Sequence, residues 1–92
     1  MAGYVYFLKD NNGKYYVGST PTLVKRLKQH ALGHTQTTRN MKNPKLVFSQ
    51  EFDSLIIARK IERRIKKLKR RDYIEKIIKD GYIKMTEKDS AE

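Results

Sequence analysis

The chain has 92 residues, which fits one domain with a modest core and excludes a second fold or a cavity that encloses a large substrate. Lysine and arginine number 21 against 10 acidic residues, a formal net charge of +11, so we expect a polyanion, nucleic acid first, bound on the surface. Cysteine is absent, which excludes disulfides and thiolate metal sites. The N-terminus lacks a secretory signal, so we expect a cytoplasmic location.

A β-hairpin is predicted at the start of the chain. Residues 3–9 and 14–19 are rich in tyrosine, valine and phenylalanine, and the turn between them ends at Gly13. A three-residue loop with Gly13 in the left-handed region would put Tyr6 and Tyr16 on one face of the sheet. A four-residue loop would shift the pairing by one residue and send the two phenols to opposite faces.

A first helix is predicted over residues 20–32, with Thr20 as the N-cap and Pro21 at the first helical position. Its apolar residues recur at four-residue spacing, at Leu23, Leu27 and Ala31. Arg26 and His30 are also four residues apart and flank this stripe. Both side chains are therefore expected at the rim where the helix meets the sheet.

The middle of the chain predicts a polar loop, a strand and a longer helix. Residues 34–44 are polar and end at a proline, and residues 45–52 have strand composition. A second helix over 54–71, capped by Asp53 or Ser54, would bury a stripe formed by Ala58, Ile61, Ile65 and Leu68.

A short third helix, capped by Asp72, is predicted to follow, with Ile74, Ile77 and Ile78 turned inward and Gly81 beyond its end. These elements predict an α/β (α+β) fold: a small three-stranded antiparallel sheet, edged by the hairpin and packed with about three helices. We expect one domain over residues 1–82 and a polar tail over 83–92.

The second helix is strongly basic: nine of the thirteen residues from 59 to 71 are lysine or arginine. Such a face fits the backbone of a nucleic acid, bound with steep salt dependence and little sequence preference. A solvated helix face is the alternative, and a membrane surface is disfavoured because long apolar segments are missing. The expected nucleic-acid contacts are Lys14, Arg39, Arg59, Arg63, Lys66, Lys67 and Arg70.

Five features occur in a fixed order along the chain, and together they resemble the GIY-YIG nucleases. They are Tyr4-Val5-Tyr6, Tyr15-Tyr16-Val17-Gly18, the Arg26 and His30 helix, Gly33, and a glutamate, Glu62, in the basic helix. The chain is similar to the small stand-alone, single-domain branch of this superfamily and to the nuclease domain of excinuclease C. It departs from the pattern in three ways: a tyrosine replaces the first glycine, valines replace both isoleucines, and no asparagine follows Glu62.

This resemblance implies a GIY-YIG-type endonuclease that hydrolyses DNA phosphodiester bonds in repair or recombination. It implies Glu62 as the ligand of Mg²⁺ or Mn²⁺, Arg26 at the phosphate, and Tyr16, with Tyr6 and His30, managing the water and its proton. One carboxylate with substrate phosphates is a usual Mg²⁺ arrangement. A partner protein that directs the enzyme to its target is compatible with so small a chain.

Other interpretations of the same residues stay open. Glu62 can instead pair with Arg59 or Lys66 on its own helix. A His30/His34 metal pair is disfavoured, because the glycine between them ends the helix and no nearby carboxylate completes a site. The alternative function is a non-catalytic nucleic-acid-binding module that uses the basic helix 59–71, and a basic adaptor for an acidic protein is a third possibility.

Overall fold

A three-stranded antiparallel sheet forms the framework of the computed structural model, which describes residues 2–31, 43–68 and 70–83, without the side chains of His30 and Ala31. The strands are β1 (Gly3–Lys9), β2 (Tyr15–Thr20) and β3 (Lys45–Phe52), in the spatial order β2-β1-β3. The helices are α1 (Leu23–Ala31), α2 (Leu55–Leu68) and α3 (Arg71–Asp80). The predicted fold class is confirmed. The hairpin does not only edge the sheet, because its first strand is the central one.

The hairpin has the three-residue loop. Leu8 is paired with Tyr16, and the backbone N–H of Asp10 donates to the carbonyl of Lys14 at 3.0 Å. Gly13 has a φ of 80°, the left-handed conformation that such a loop requires at this position. The buried Asp10 carboxylate accepts the N–H groups of Asn12 and Lys14, at 2.9 and 2.7 Å, and so holds the turn closed.

The core lies between α2 and one face of the sheet. Val5 and Phe7 of β1 point to this face, and the Phe7 ring packs on Phe48 of β3 with ring centroids 4.9 Å apart. Tyr6 and Leu8, on the opposite face of the same strand, are also buried. A central strand that is buried on both faces explains why β1 has an almost continuous apolar sequence. The rest of the core comprises Val17, Ala58, Ile61, Ile65, Ile77 and Ile83.

The first helix begins later than predicted. Thr20 ends β2 and is buried, and its hydroxyl accepts the N–H of Thr22 at 3.1 Å. The carbonyl of Thr22 then accepts the N–H of Arg26, so the helix begins at Leu23 and Pro21 precedes it. The strand therefore continues through the residue that was expected to cap the helix. Leu23 is only partly buried, and the described core cluster includes no residue of this helix.

The second and third helices correct the predicted 54–71 helix. Ser54 caps α2, since its hydroxyl accepts the N–H of Ile57 at 3.2 Å, but α2 ends at Leu68 and Arg71 already belongs to α3. Leu68 was expected in the buried stripe but is 40% exposed. Asp72 does not cap α3: Arg70 stands at the N-cap position, and Asp72 pairs with its guanidinium at 2.8 Å.

The end of the described chain returns to the core. Gly81, in the left-handed conformation, ends α3 by donating its N–H to the carbonyl of Ile77 at 2.9 Å. Ile83 is buried in the core, and its N–H donates to the Gln50 side chain at 2.7 Å. The domain boundary after residue 82 stays a prediction, but packed structure reaches at least one residue beyond it. Among the described residues, no helix has the length and apolar character needed to cross a membrane.

We expect Ile65→Ala to lower the free energy of unfolding by about 2–4 kcal/mol, because Ile65 is 2% exposed and its removal leaves a cavity between α2 and the sheet. Leu68→Ala on the same helix is the matched control and should cost less than about 1 kcal/mol, since Leu68 is already 40% exposed. Urea unfolding followed by circular dichroism measures both values. Equal losses would contradict this boundary of the core.

Candidate active site

Two tyrosines, Tyr6 of β1 and Tyr16 of β2, meet on the sheet face opposite α2. Their ring centroids are 6.1 Å apart, with the ring planes inclined by 48°, and a hydrogen bond joins the two side chains. This pairing follows from the three-residue loop, which places Leu8 opposite Tyr16 and Tyr6 opposite Gly18. The two phenols are therefore diagonal neighbours on adjacent strands, a separation that aromatic side chains can bridge.

Gly18 makes room for this contact. A Cβ atom at this position would lie 2.6 Å from the Cζ and Oη atoms of Tyr6 and 3.0 Å from a ring carbon of Tyr16. Real side chains do not approach so closely, so the Tyr6 ring can cross over β2 only where β2 has no side chain. The glycine in the second tyrosine motif thus has a steric role in packing the first motif.

Burial keeps the Tyr6 phenol protonated. Only 1% of Tyr6 is exposed, and this desolvation raises its pKa well above 10, with further upward contributions from the charge of Tyr16 and from the hydrogen bond between the two side chains. The positive charge of Arg26 opposes this shift, and the negative charge of Glu62 adds to it. Tyr6 is thus within electrostatic reach of Tyr16, Arg26 and Glu62.

Glu62 lies on α2, on the other side of the edge strand. Its side chain is 18% exposed. The Ser19 hydroxyl donates to Oε1, and the Lys66 ammonium lies 2.5 Å from Oε2. The ion pair with Lys66 is the alternative that the sequence left open, and Ser19 is a partner that the sequence analysis missed. The alternation of side chains along β2 could have predicted this contact, because Ser19 follows the second tyrosine motif and points to the same face as Val17, towards α2.

Lys66 connects the two sides of β2. While paired with Glu62, its Nζ atom lies 5.7 Å from the centroid of the Tyr16 ring. Because β2 is an edge strand, the lysine can reach around it from α2 towards the opposite face, where the tyrosines lie. The carboxylate and the phenols therefore belong to one region at the open edge of the sheet.

The described residues contain no cluster of three His, Asp or Glu side chains that could hold a metal by itself. Glu62 is the carboxylate of this region, and Arg26 lies near enough for both charges to affect Tyr6. A single carboxylate suits an ion that completes its shell with water and phosphate oxygens. His30 is in α1, four residues after Arg26, whereas His34 lies outside the described residues.

Two depressions carry most of the predicted nucleic-acid contacts. The first, here the Glu62 hollow, has a volume of about 310 Å³ and is lined by Arg59, Glu62, Arg63 and Lys66. The second, here the hairpin groove, has a volume of about 570 Å³ and separates the hairpin from α2 and α3; its lining includes Lys14, Tyr15, Tyr16, Lys66, Arg70 and Arg71. Lys66 lines both depressions. Lys67 is exposed on α2, and Arg39 lies outside the described residues.

Tyr15, the residue next to Tyr16, makes contacts that connect the hairpin to α3. Its hydroxyl donates to Glu75 at 3.4 Å, and Lys9 and Arg71 lie 5.3 and 5.5 Å from its ring centroid. Arg71 also approaches Glu75 to 4.0 Å. These contacts tie the hairpin to α3 and form one wall of the groove.

We expect Tyr6→Phe to reduce the loss of stability at alkaline pH. The folded state holds the Tyr6 proton more tightly than the unfolded chain, so this contribution is complete below about pH 10 and declines as the pH rises towards the folded pKa. One group changes the free energy of unfolding by at most about 1.4 kcal/mol per pH unit. Urea unfolding between pH 9 and 11.5 should give the steeper slope for wild type.

Both proteins share every other titratable group of the chain, so the comparison isolates the Tyr6 phenol together with its hydrogen bond to Tyr16. Parallel pH profiles would show that Tyr6 holds its proton no more tightly in the folded state than in the unfolded chain.

Comparisons with known proteins identify the family of this chain. Residues 2–79 match the model of the GIY-YIG catalytic domain. The solution NMR structure of the UPF0213 protein BH0048 from Bacillus halodurans is similar, with 29% sequence identity and a TM-score of 0.56 over 99% of this chain and 94% of that one. No curated protein matches the chain significantly. Because the domain match spans most of the chain, this protein belongs to the GIY-YIG family of nucleases.

Proposed function

We propose that this protein is an endonuclease that hydrolyses DNA phosphodiester bonds with one divalent cation, Mg²⁺ or Mn²⁺, in repair or recombination. One observation carries the proposal: the buried Tyr6 phenol is coupled to Tyr16 by a hydrogen bond and to Arg26 and Glu62 by charge. These groups come from two strands and two helices. A phenol pair, a guanidinium and a carboxylate in one region match the needs of phosphodiester hydrolysis.

Glu62 is the residue that would hold the cation. Its carboxylate is fixed by the Ser19 hydroxyl and stands beside a hollow that is open to solvent and to a phosphate backbone. When bound, the cation would stabilise negative charge on the phosphoryl oxygens and favour ionisation of a water molecule. With one carboxylate available here, metal binding by the free protein should be weak.

Arg26 would bind the scissile phosphate. Its planar guanidinium can donate two parallel hydrogen bonds to phosphate oxygens and stays charged at every relevant pH. Arg26 is partly buried and acts on Tyr6 through its charge. A bound phosphate would therefore lie beside the tyrosine pair.

The two tyrosines would have different roles. Tyr6 is buried and protonated, and its hydrogen bond suits it to hold Tyr16 in place rather than to accept a proton. Tyr16 is partly exposed and adjoins the groove, so its hydroxyl is the one that can contact the attacking water. His30, one turn after Arg26 on α1, would donate or relay a proton.

The basic residues would bind the nucleic-acid backbone on both sides of this site. The contacts proposed at the Glu62 hollow are Arg59 and Arg63, and those at the groove are Lys14, Lys66 and Arg70. Lys67, and Arg39 outside the described residues, would extend this surface. Several such contacts make binding strongly dependent on salt.

A non-catalytic binding module is the competing function. The observation in its favour is that Lys66 already neutralises the Glu62 carboxylate, as in an ordinary ion pair between residues four apart on a helix. That function requires the basic surface but neither the metal nor the tyrosine pair. The two functions therefore differ in their response to the variants below.

Glu62→Gln should reduce metal-dependent cleavage at least about 100-fold, because the loss of the metal carboxylate removes several kcal/mol of transition-state stabilisation. Glu75→Gln is the control: Glu75 also has a basic partner four residues away on its helix, and its replacement changes the net charge equally. End-labelled duplex, single-stranded, flap and forked DNA, incubated with Mg²⁺, Mn²⁺ or chelator, would report the cuts. Binding without cleavage by wild type under every condition would favour the module.

Tyr16→Phe should lower cleavage by about 10²–10⁴-fold if its hydroxyl manages the water. Tyr15→Phe removes the same atom from the adjacent residue, which points to the other face and contacts Glu75. Single-turnover cleavage rates compare the two variants at saturating protein. Equal rates for Tyr16→Phe and wild type would remove Tyr16 from the mechanism without affecting the role of Glu62.

A further inference from the structure

We infer that Lys66 is a built-in counter-ion of Glu62, which a divalent cation must displace before it can bind. The released Lys66 ammonium then pairs with a phosphate of the bound nucleic-acid strand. Strand binding and metal binding would therefore strengthen each other. This inference rests on the proposed function, because it takes Glu62 as the metal ligand. It adds a regulatory role for Lys66, and it places one strand of the nucleic acid in the hairpin groove.

The first step concerns the two oxygens of Glu62. In the described part of the chain, Oε1 accepts the Ser19 hydroxyl and Oε2 faces the Lys66 ammonium at 2.5 Å. A neutral hydroxyl can remain when a cation binds and continue to orient the carboxylate. An ammonium at that distance cannot remain, because it would repel the metal from the oxygen that it shares. Metal binding therefore requires Lys66, and not Ser19, to leave.

The second step concerns where Lys66 can go. Its side chain is 50% exposed on a flexible four-carbon stem, and it lines both the Glu62 hollow and the hairpin groove. The Tyr16 ring, 5.7 Å from Nζ, lies on the groove side. A change of side-chain rotamer can thus move the ammonium from the carboxylate into the groove without any movement of α2.

The third step concerns the charge in the groove. Two other cations of its lining have carboxylate partners outside the metal region: Arg70 pairs with Asp72 at 2.8 Å, and Arg71 approaches Glu75 at 4.0 Å. These pairs are unaffected when Glu62 binds a cation. Lys66 differs, because metal binding removes its acidic partner and adds one positive charge to the groove. A phosphate next to Tyr16 is the anion that this charge would attract.

The consequence is reciprocal coupling. If a strand in the groove favours the released state of Lys66, it raises the metal affinity, and the metal must raise the strand affinity by the same factor. The free protein would then hold little metal, and the bound strand would complete the metal site.

The test measures Mn²⁺ binding to the free protein, by titration calorimetry or electron paramagnetic resonance, with no nucleic acid present. Lys66→Met keeps the length of the stem and should bind Mn²⁺ about two- to fivefold more tightly than wild type, the range set by the strength of one exposed ion pair. Lys67→Met removes the same charge from the next residue and should stay close to wild type. Circular dichroism checks that both variants fold.

Two outcomes of this titration overturn the inference, and they are distinguishable. Equal Mn²⁺ affinities for Lys66→Met and Lys67→Met, with binding lost in Glu62→Gln, would overturn the role of Lys66 and leave the metal site intact. Unchanged Mn²⁺ binding by Glu62→Gln would overturn both this inference and the proposed metal ligand.

A second measurement tests the phosphate contact without metal or cleavage. In chelator, fluorescence anisotropy of a labelled oligonucleotide should show that Lys66→Met weakens binding more in the Glu62→Gln background than in wild type, by about twofold or more. In that background Lys66 has no carboxylate to hold it and is available to the strand. Equal losses in the two backgrounds would overturn the transfer of Lys66 to a phosphate.

Discussion

The register between β1 and β2 is the constraint on which the site depends. Asp10 and Gly13 close a loop of three residues, and the odd number places Tyr6 and Tyr16 on the same face. A change of one residue in the loop would turn the second phenol towards α2 and expose Val17 in its place. The buried Asp10 carboxylate, which accepts two backbone N–H groups in the turn, thus helps to fix the relative positions of Tyr6 and Tyr16.

The same register divides the work between the two faces of the sheet. Alternate residues of β2, Val17 and Ser19, face α2, where the first packs in the core and the second reaches Glu62. The residues between them, Tyr16 and Gly18, shape the tyrosine face. Because β2 is at the edge of the sheet, a side chain on one face can reach around this strand to the other face. A site assembled from both faces is possible at such an edge, and would be blocked at the central strand.

Much of the fold was predictable because local chemistry determines it. The hairpin, the third strand and the apolar stripe of α2 follow from residue periodicity and turn residues, and the structure has all of them. The errors occurred where tertiary contacts outweigh local preference. Thr20 is a residue type typical of helix caps but is the buried last residue of β2, and Leu68 keeps the helical spacing of the buried stripe but is 40% exposed. The Ser19 contact joins residues 43 positions apart, which periodicity does not report.

The net charge of +11 has opposite effects on the two ligands that the proposed site would bind, a polyanion and a divalent cation. The surrounding cations favour the binding of a polyanion, but the same positive field would weaken the proposed binding of a divalent cation to Glu62. The Tyr6 phenol adds no charge, because burial holds it protonated, so it does not assist the metal. A bound nucleic acid would relieve both effects, because its phosphates would neutralise the basic surface and supply oxygen ligands to the proposed cation. With Glu62 as the proposed ligand, the free protein would therefore be an incomplete metal site, which the substrate would complete.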